Sequence, residues 1–275
     1  MYIRVAYKHQ SHCIGKNITR SINLFIYFHT MALFNAETHT YTIDGCVVPR
    51  SVTALVKTQF PFNAPAIIAA NYSKWKESCN PKYAEFCRGT DAEGKAAIAA
   101  HWAAKGERAA KQGTALHEWA ETWINLKRRW AFPTVPAFIP DQPREASQVV
   151  DFTAFAETNG LNGTRAHAYA AELIVWWKTA NGRVALAGTI DALFKDAHMN
   201  YHIVDWKRTA ERITGARLKQ YSLQLSIYSL LLKQSRNIDV GDNLYLVRVA
   251  PDIHSYELTK CSDLRGWARL LLDAC

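Results

Sequence analysis

The chain has 275 residues, 49% of them hydrophobic, which marks a globular, soluble protein able to bury one sizeable core and a small appended lobe. Its 33 Lys and Arg outnumber 24 Asp and Glu, and the formal charge of +9 suits a polyanionic partner as well as it suits a generic basic surface. Six scattered cysteines with no C-x-x-C pair argue against a zinc ribbon and a disulfide scaffold, and point to a reducing, intracellular compartment.

Residues 1–36 contain no acidic side chain but carry Arg4, Lys8, Lys16 and Arg20 ahead of a largely apolar run at 22–28. That composition suits a mitochondrial presequence, and the run is too short to span a bilayer, so no membrane anchor is expected. Met31 is an alternative start, because MALFNAETHTYTIDG leads directly into strand-like alternation with Gly45 at a turn. The chain therefore divides into an extension at 1–36 (presequence, untranslated or disordered) and one folded domain at 37–275.

Ser51 reads as the N-cap of a helix over 52–59 that Pro61 stops, and Pro65 opens a second helix carrying Ile67, Ile68 and Trp75. Thr90 and Glu93 form a capping-box pattern before an alanine-rich helix to about residue 105. A further helix is expected over 113–130, where Leu116, Trp119, Ala120, Trp123 and Ile124 make an apolar side. On it His117 and Glu121 stand one turn apart, placed to reach a metal or a phosphate if they are not simply packed or solvated. Lys127, Arg128 and Arg129 give that helix a basic end.

Residues 131–163, with four prolines, read as a loop and a short helix. A strand over 168–177 carries Glu172 among Leu173, Ile174, Val175 and Trp176, where an ionised carboxylate is costly unless paired or metal-bound. Asn181-Gly182 predicts a hairpin to a strand over 184–194, so Glu172 and Asp191 lie on neighbouring strands. Period-two alternation puts Leu186, Ile190, Ala192 and Phe194 on one face and Asp191 on the other. A polar turn at 196–200 leads to a strand over 201–209, whose alternation places Ile203, Asp205 and Lys207 on one face and Val204 and Trp206 on the other. Arg208 follows. Next comes the helix QYSLQLSIYSLLLKQ, with Gln220, Gln224 and Tyr228 recurring every four residues on one face and Leu223, Ile227, Leu230 and Leu231 on its buried side. Strands over 244–249 and 255–258 and a closing helix over 264–272 complete the reading.

Two carboxylates about 4 Å apart repel by about 4 kcal/mol at an effective dielectric near 20. A partly buried pair therefore needs a cation or a shared proton. A divalent ion answers that need, and oxygen ligands favour magnesium or manganese over zinc. Taken alone, Asp205-x-Lys207 is also compatible with a structural ion pair at a sheet edge.

In order along the chain, Gly113-Thr114-x-x-His117, Glu172, Gly188-Thr189-Ile190-Asp191, Asp205-x-Lys207 and Gln224-x-x-x-Tyr228 resemble the PD-(D/E)XK nuclease superfamily. The likeness is to its RecB-like branch, and within it to mitochondrial genome-maintenance exonucleases and nucleases of large DNA viruses, over roughly residues 37–249. That resemblance implies an α/β, restriction-endonuclease-like core: a central mixed β-sheet flanked by helices, with a helical N-terminal region. It implies that His117, Asp191, Asp205 and the backbone carbonyl of Trp206 are metal ligands and that Glu172 is an additional acidic position. It also implies that Lys207 orients the attacking water, and that Gln224 and Tyr228, with Gln220, Arg208 and Glu121 nearby, support the site or contact DNA. In the family's two-metal account the cations lower the pKa of bound water to about 7 and stabilise charge on the attacking and leaving oxygens. With only Cys261 and Cys275 beyond the Gln224–Tyr228 helix, the iron–sulfur cluster of some relatives is not expected. The expected function is a Mg2+-dependent DNA exonuclease, with Mn2+ an alternative, acting on free ends or single-stranded flaps in maintenance, repair or recombination. A structure-specific endonuclease and a catalytically silent DNA-binding subunit are the competing readings.

Overall fold

The computed structural model describes residues 3–10, 28–129, 139, 141–251 and 254–275. Most of the basic and apolar stretch read as a presequence, residues 11–27, and most of the proline-rich loop, residues 130–138 and 140, lie outside the described residues. Strands β1 (Ile3–Gln10), β2 (Phe28–Asn35), β3 (Thr40–Ile43) and β4 (Cys46–Val47) form an antiparallel sheet in that order. Gly45, at φ +81°, makes the tight turn between β3 and β4 that the sequence announces.

Three α-helices follow, with a short 3-10 turn at Ala84–Cys87 before the third, and a capping side chain marks the start of each. Ser51 Oγ accepts from Ala54 N at 3.1 Å to begin α1 (Val52–Gln59), and Asn63 Oδ1 accepts from Ala66 N at 3.0 Å to begin α2 (Ala64–Glu77). Thr90 and Glu93 form the reciprocal box, with Thr90 N donating to Glu93 Oε2 at 2.9 Å and Glu93 N donating to Thr90 Oγ1 at 3.3 Å. They open α3 (Asp91–Arg129), a single helix of 39 residues where two shorter ones were expected. No proline interrupts it, and Gly106 and Gly113 cost only about 1 kcal/mol each in a helix, too little to end it.

The second sheet carries the site. Its strands β5 (Ala166–Lys178), β6 (Val184–Asp196), β7 (Tyr201–Arg208), β8 (Leu244–Val249) and β9 (Tyr256–Lys260) lie in that order, β7 and β8 parallel and the other pairs antiparallel. The β7–β8 crossover is α5 (Gly215–Arg236). Packing on both faces makes the fold the expected mixed sheet flanked by helices. On one face α1, α5 and α6 (Arg265–Asp273) bury Val52, Leu223, Ile227, Leu231 and Leu272 against Ile203 and Leu246. On the other, α3 and α4 (Ala146–Thr158) bury Leu116, Trp119, Ile124 and Phe152 against Val204, Trp206 and Val247.

Strand β7 keeps the alternation read from its sequence. Trp206 packs edge-on against Phe152 at 5.4 Å, which pins one face and leaves Asp205 and Lys207 on the other. Strand β6 does not keep a single parity. Leu186 and Ile190 join the α5-side core, whereas Ala192 and Phe194 join the α3-side core. The face changes at Asp191, beside Glu172 of β5, which is itself at φ +48°.

The turn into β7 is built on Asp196, whose Oδ1 accepts from His198 N at 2.9 Å and Asn200 N at 2.8 Å. His202, 1% exposed, lies 3.2 Å from Asp196 Oδ2, and burial lowers its pKa although Asp196 pulls the other way. A folded-state pKa below 6.5 means that the unfolded chain binds the extra proton first, so this stability is complete above about 6.5 and is lost as pH falls. Between pH 7.5 and 5.5 urea denaturation should show a loss of stability that is absent in His202→Gln. Equal losses in the two proteins would mean that His202 is not the group responsible.

Candidate active site

Strands β6 and β7 pair from Lys195 and Tyr201 up to Ala192 and Val204, and the ladder stops there. In the gap beyond, Asp191 Oδ2 accepts a hydrogen bond from Trp206 N at 2.9 Å, so a carboxylate replaces a strand as the partner of β7. Across β5, Glu172 holds a left-handed backbone conformation, which for a residue with a Cβ costs about 1–3 kcal/mol and persists only where the surroundings impose it. Helix α3 brings His117 over this gap. Its Nδ1 lies 3.5 Å from Asp191 Oδ2 and 3.7 Å from Glu172 Oε1, and its Nε2 lies 3.2 Å from the Trp206 carbonyl oxygen. One ligand atom from each of His117, Glu172 and Asp191 falls within 4.8 Å of the others. One imidazole nitrogen and two carboxylates form a donor set that fits a divalent cation.

Lys207 and Asp205 sit beside this triad as an ion pair, with side chains 19% and 2% exposed. The Lys207 ammonium also lies 5.1 Å from the Tyr221 ring. Gln224 Nε2 reaches both Asp205 Oδ1 and Tyr228 Oη at 3.4 Å, so the polar stripe of α5 is a buried support and not a wetted face. Gly188 belongs to the same packing: a Cβ there would stand 2.6 Å from Tyr228 Cε1 and 2.9 Å from Val52 Cγ2.

The charge balance is tight. Burial opposes a charged His117, but the Asp191 carboxylate and the hydrogen bond with Glu172 outweigh it and hold the imidazole up at about 9. Burial raises Asp205 to about 6 against the pull of Lys207, with Asp191 adding to the rise. Burial would also discharge Lys207, yet Asp205 and then Asp191 keep its pKa raised. Burial, then Tyr41 and the two aspartates, lifts the Tyr228 phenol well above its ordinary range, so it stays protonated. Three carboxylates thus share two cationic side chains, and a divalent ion would supply the missing positive charge.

His117, Glu172 and Asp191 converge with the Trp206 carbonyl close by, whereas Asp205 stands outside that triad with its carboxylate taken by Lys207 and Gln224. Lys207, Gln224 and Tyr228 line the same cleft of about 280 Å³. Gln220 lies half-buried one turn earlier on α5, and Glu121 half-buried one turn after His117 on α3. Arg208 is engaged elsewhere: its Nε and Nη2 lie 2.9 and 2.6 Å from Glu145 Oε1, and its Nη1 donates to Gln112 Oε1 at 2.8 Å. Lys127 pairs with Glu157 at 2.7 Å. Sequence reasoning did not place Phe34, His39, Tyr41 and Thr53 in the cleft, and it read Ser51 only as a helix cap and Thr189 only as part of the Gly188–Asp191 motif. No spacing along the chain marks these six as one wall, because the fold assembles them from two sheets and a helix start.

A family model described as the PD-(D/E)XK nuclease superfamily matches residues 83–274. The search of curated proteins found no match. A solved structure titled "Crystal structure of SSO0001" aligns at 18% identity and a TM-score of 0.29, over 44% of this chain and 53% of that one, so the chain spans about half of its length.

Adding Mg2+ or Mn2+ should raise the melting temperature of the wild type, because an ion that binds only the folded state stabilises it by mass action. Asp191→Asn should abolish that rise, and a rise that survives would locate the ion elsewhere. Glu172→Gly should also lose the rise, yet keep a metal-free melting temperature at or above that of the wild type, because it relieves the left-handed strain and one carboxylate repulsion. A clear drop without metal would show that Glu172 serves stability first.

Proposed function

Because the chain belongs to the PD-(D/E)XK nuclease superfamily, we propose that it is a Mg2+-dependent deoxyribonuclease that removes nucleotides from DNA ends or single-stranded flaps, in maintenance, repair or recombination. The observation that carries this reading is the convergence of His117, Glu172 and Asp191 beside Lys207 in one cleft.

His117, Glu172 and Asp191, with the Trp206 carbonyl next to them, would hold the divalent cation. When bound, that ion supplies Lewis-acid polarisation of the phosphoryl oxygen and a hydroxide-like nucleophile at neutral pH. Lys207 is held charged by Asp205 and faces the same cleft, where its ammonium can orient a water and offset negative charge that builds on the phosphoryl oxygens. Gln224 fixes Asp205, and Tyr228 fixes Gln224, so the two α5 residues act on the reaction through the position of Lys207. To act as a ligand His117 would give up its proton, whose charge a bound cation would replace among the carboxylates. The net positive charge of the chain favours approach of a polyanion. Among the described residues no helix is long and apolar enough to cross a membrane.

Purified protein should degrade end-labelled linear DNA with Mg2+ or Mn2+, and Lys207→Ala and Asp191→Asn should each lower the rate by about 10²- to 10³-fold. Unchanged rates in both variants would remove these residues from the mechanism. Circular single-stranded DNA should remain intact; its cleavage would make the protein an endonuclease.

A further inference from the structure

The cleft has a second wall that the metal chemistry does not use. Phe34 at the end of β2, His39 at the β2–β3 turn and Tyr41 in β3 line it together with His117, Asp191, Lys207, Gln224 and Tyr228. The Phe34 ring lies 4.7 Å from Tyr41 and 6.1 Å from His39, centroid to centroid. The turn is held by Asn35 Oδ1, which accepts from Glu37 N at 2.9 Å and Thr38 N at 3.2 Å. Within it His39 takes a left-handed conformation at φ +51° and stays exposed while its ring stands against Phe34. Tyr41 Oη bonds Thr189 Oγ1 at 3.0 Å, which fastens the hairpin to β6 two residues before Asp191. All three residues precede the region matched by the family model, which begins at residue 83.

From this juxtaposition we infer that the β2–β3 hairpin is a nucleobase-stacking platform, with Phe34 and His39 receiving the base of a nucleotide whose phosphate enters the metal-binding triad, and that the substrate is therefore single-stranded. This inference rests on the nuclease reading. Its physical basis is the chemistry of the two walls. One wall carries the ligand triad and an ammonium group suited to a phosphodiester, and the other carries aromatic rings and the Ser51, Thr53 and Thr189 hydroxyls suited to a base and sugar. A volume of about 280 Å³ lies just below the ~300–1,000 Å³ typical of ligand pockets, a size suited to a single nucleotide. In a duplex the base faces are covered by their neighbours, so stacking on a side chain selects an unpaired base. Such stacking changes affinity by a factor of about 5 to 150 per base.

The test uses the full chain with Ca2+ in place of Mg2+, and reads fluorescence anisotropy of a labelled single-stranded oligonucleotide, of its duplex, and of the same strand with abasic residues at either end. Cleavage of the unmodified strand with Mg2+ is measured in parallel. The wild type should bind the strand with intact bases about tenfold tighter than the form abasic at the engaged end. His39→Ala, at an exposed position, and Phe34→Leu, which keeps apolar volume under Tyr41, should each bring that ratio toward one. They should weaken the intact strand while leaving the abasic strand nearly unchanged. A ratio that is unaltered in both variants, equal weakening of intact and abasic strands, or equal affinity for duplex and single strand would overturn the platform. In those cases cleavage would still uphold the nuclease reading, whereas absence of both binding and cleavage would defeat the two together.

Discussion

Repulsion among Glu172, Asp191 and Asp205 is the constraint around which this protein is arranged. At the low effective dielectric of a cleft whose carboxylates are 10% exposed or less, such charges cannot stand together without compensation. Each receives a different answer. Asp191 accepts the Trp206 backbone N–H, Asp205 takes Lys207 and Gln224, and Glu172 leans on His117. His117 and Lys207 both have raised pKa values because they serve as the resident cations of an overcharged site. A site balanced in this way is prepared for a divalent ion, since metal and proton compete for the same charge deficit.

The scaffold explains how the balance is held. Trp206 and Phe152 lock one face of β7 to α4, and Ile203 locks the other to α5, so a strand buried on both sides presents Asp205 and Lys207 without freedom to turn. Helix α3 contributes His117 from about two-thirds of the way along a span of about 58 Å, at a rise of 1.5 Å per residue. Its apolar side, Leu116, Trp119, Ala120 and Ile124, is buried, which sets the rotation of the helix and so the direction of His117. The left-handed Glu172 is the point where local conformational preference yields to the site. The face that β6 presents changes beside it.

The N-terminal sheet adds a wall that the nuclease core alone does not possess. Its attachment to the core near the site runs through one hydroxyl pair, Tyr41 with Thr189, and through packing of Ala32, Tyr41 and Ile43 against Ile174, Trp176 and Ala187. Phe34 and His39 thus come from one sheet, Asp191 and Lys207 from the other, and all four line the same cleft.

Much of this was legible in the linear chain. Ser51, Asn181-Gly182 and the Thr90–Glu93 box mark element boundaries because capping and turn chemistry act over a few residues, and the alternation of 201–207 follows from the pleat of a single strand. The five ordered motifs were enough to identify the nuclease family, and the Asn181-Gly182 turn placed Glu172 and Asp191 on adjacent strands. Only the tertiary structure decided that Glu172 joins His117 and Asp191 while Asp205 remains with Lys207, since a positive φ and a change of face are imposed by packing from both sides of the sheet. It likewise decided that Arg208 is spent on Glu145 and Gln112, partners 63 and 96 residues away, and that Phe34 and His39 face the same cleft as Lys207. Contacts of such separation leave no periodic trace in a sequence, because they depend on how sheets and helices stack and not on the spacing of residues along any one of them.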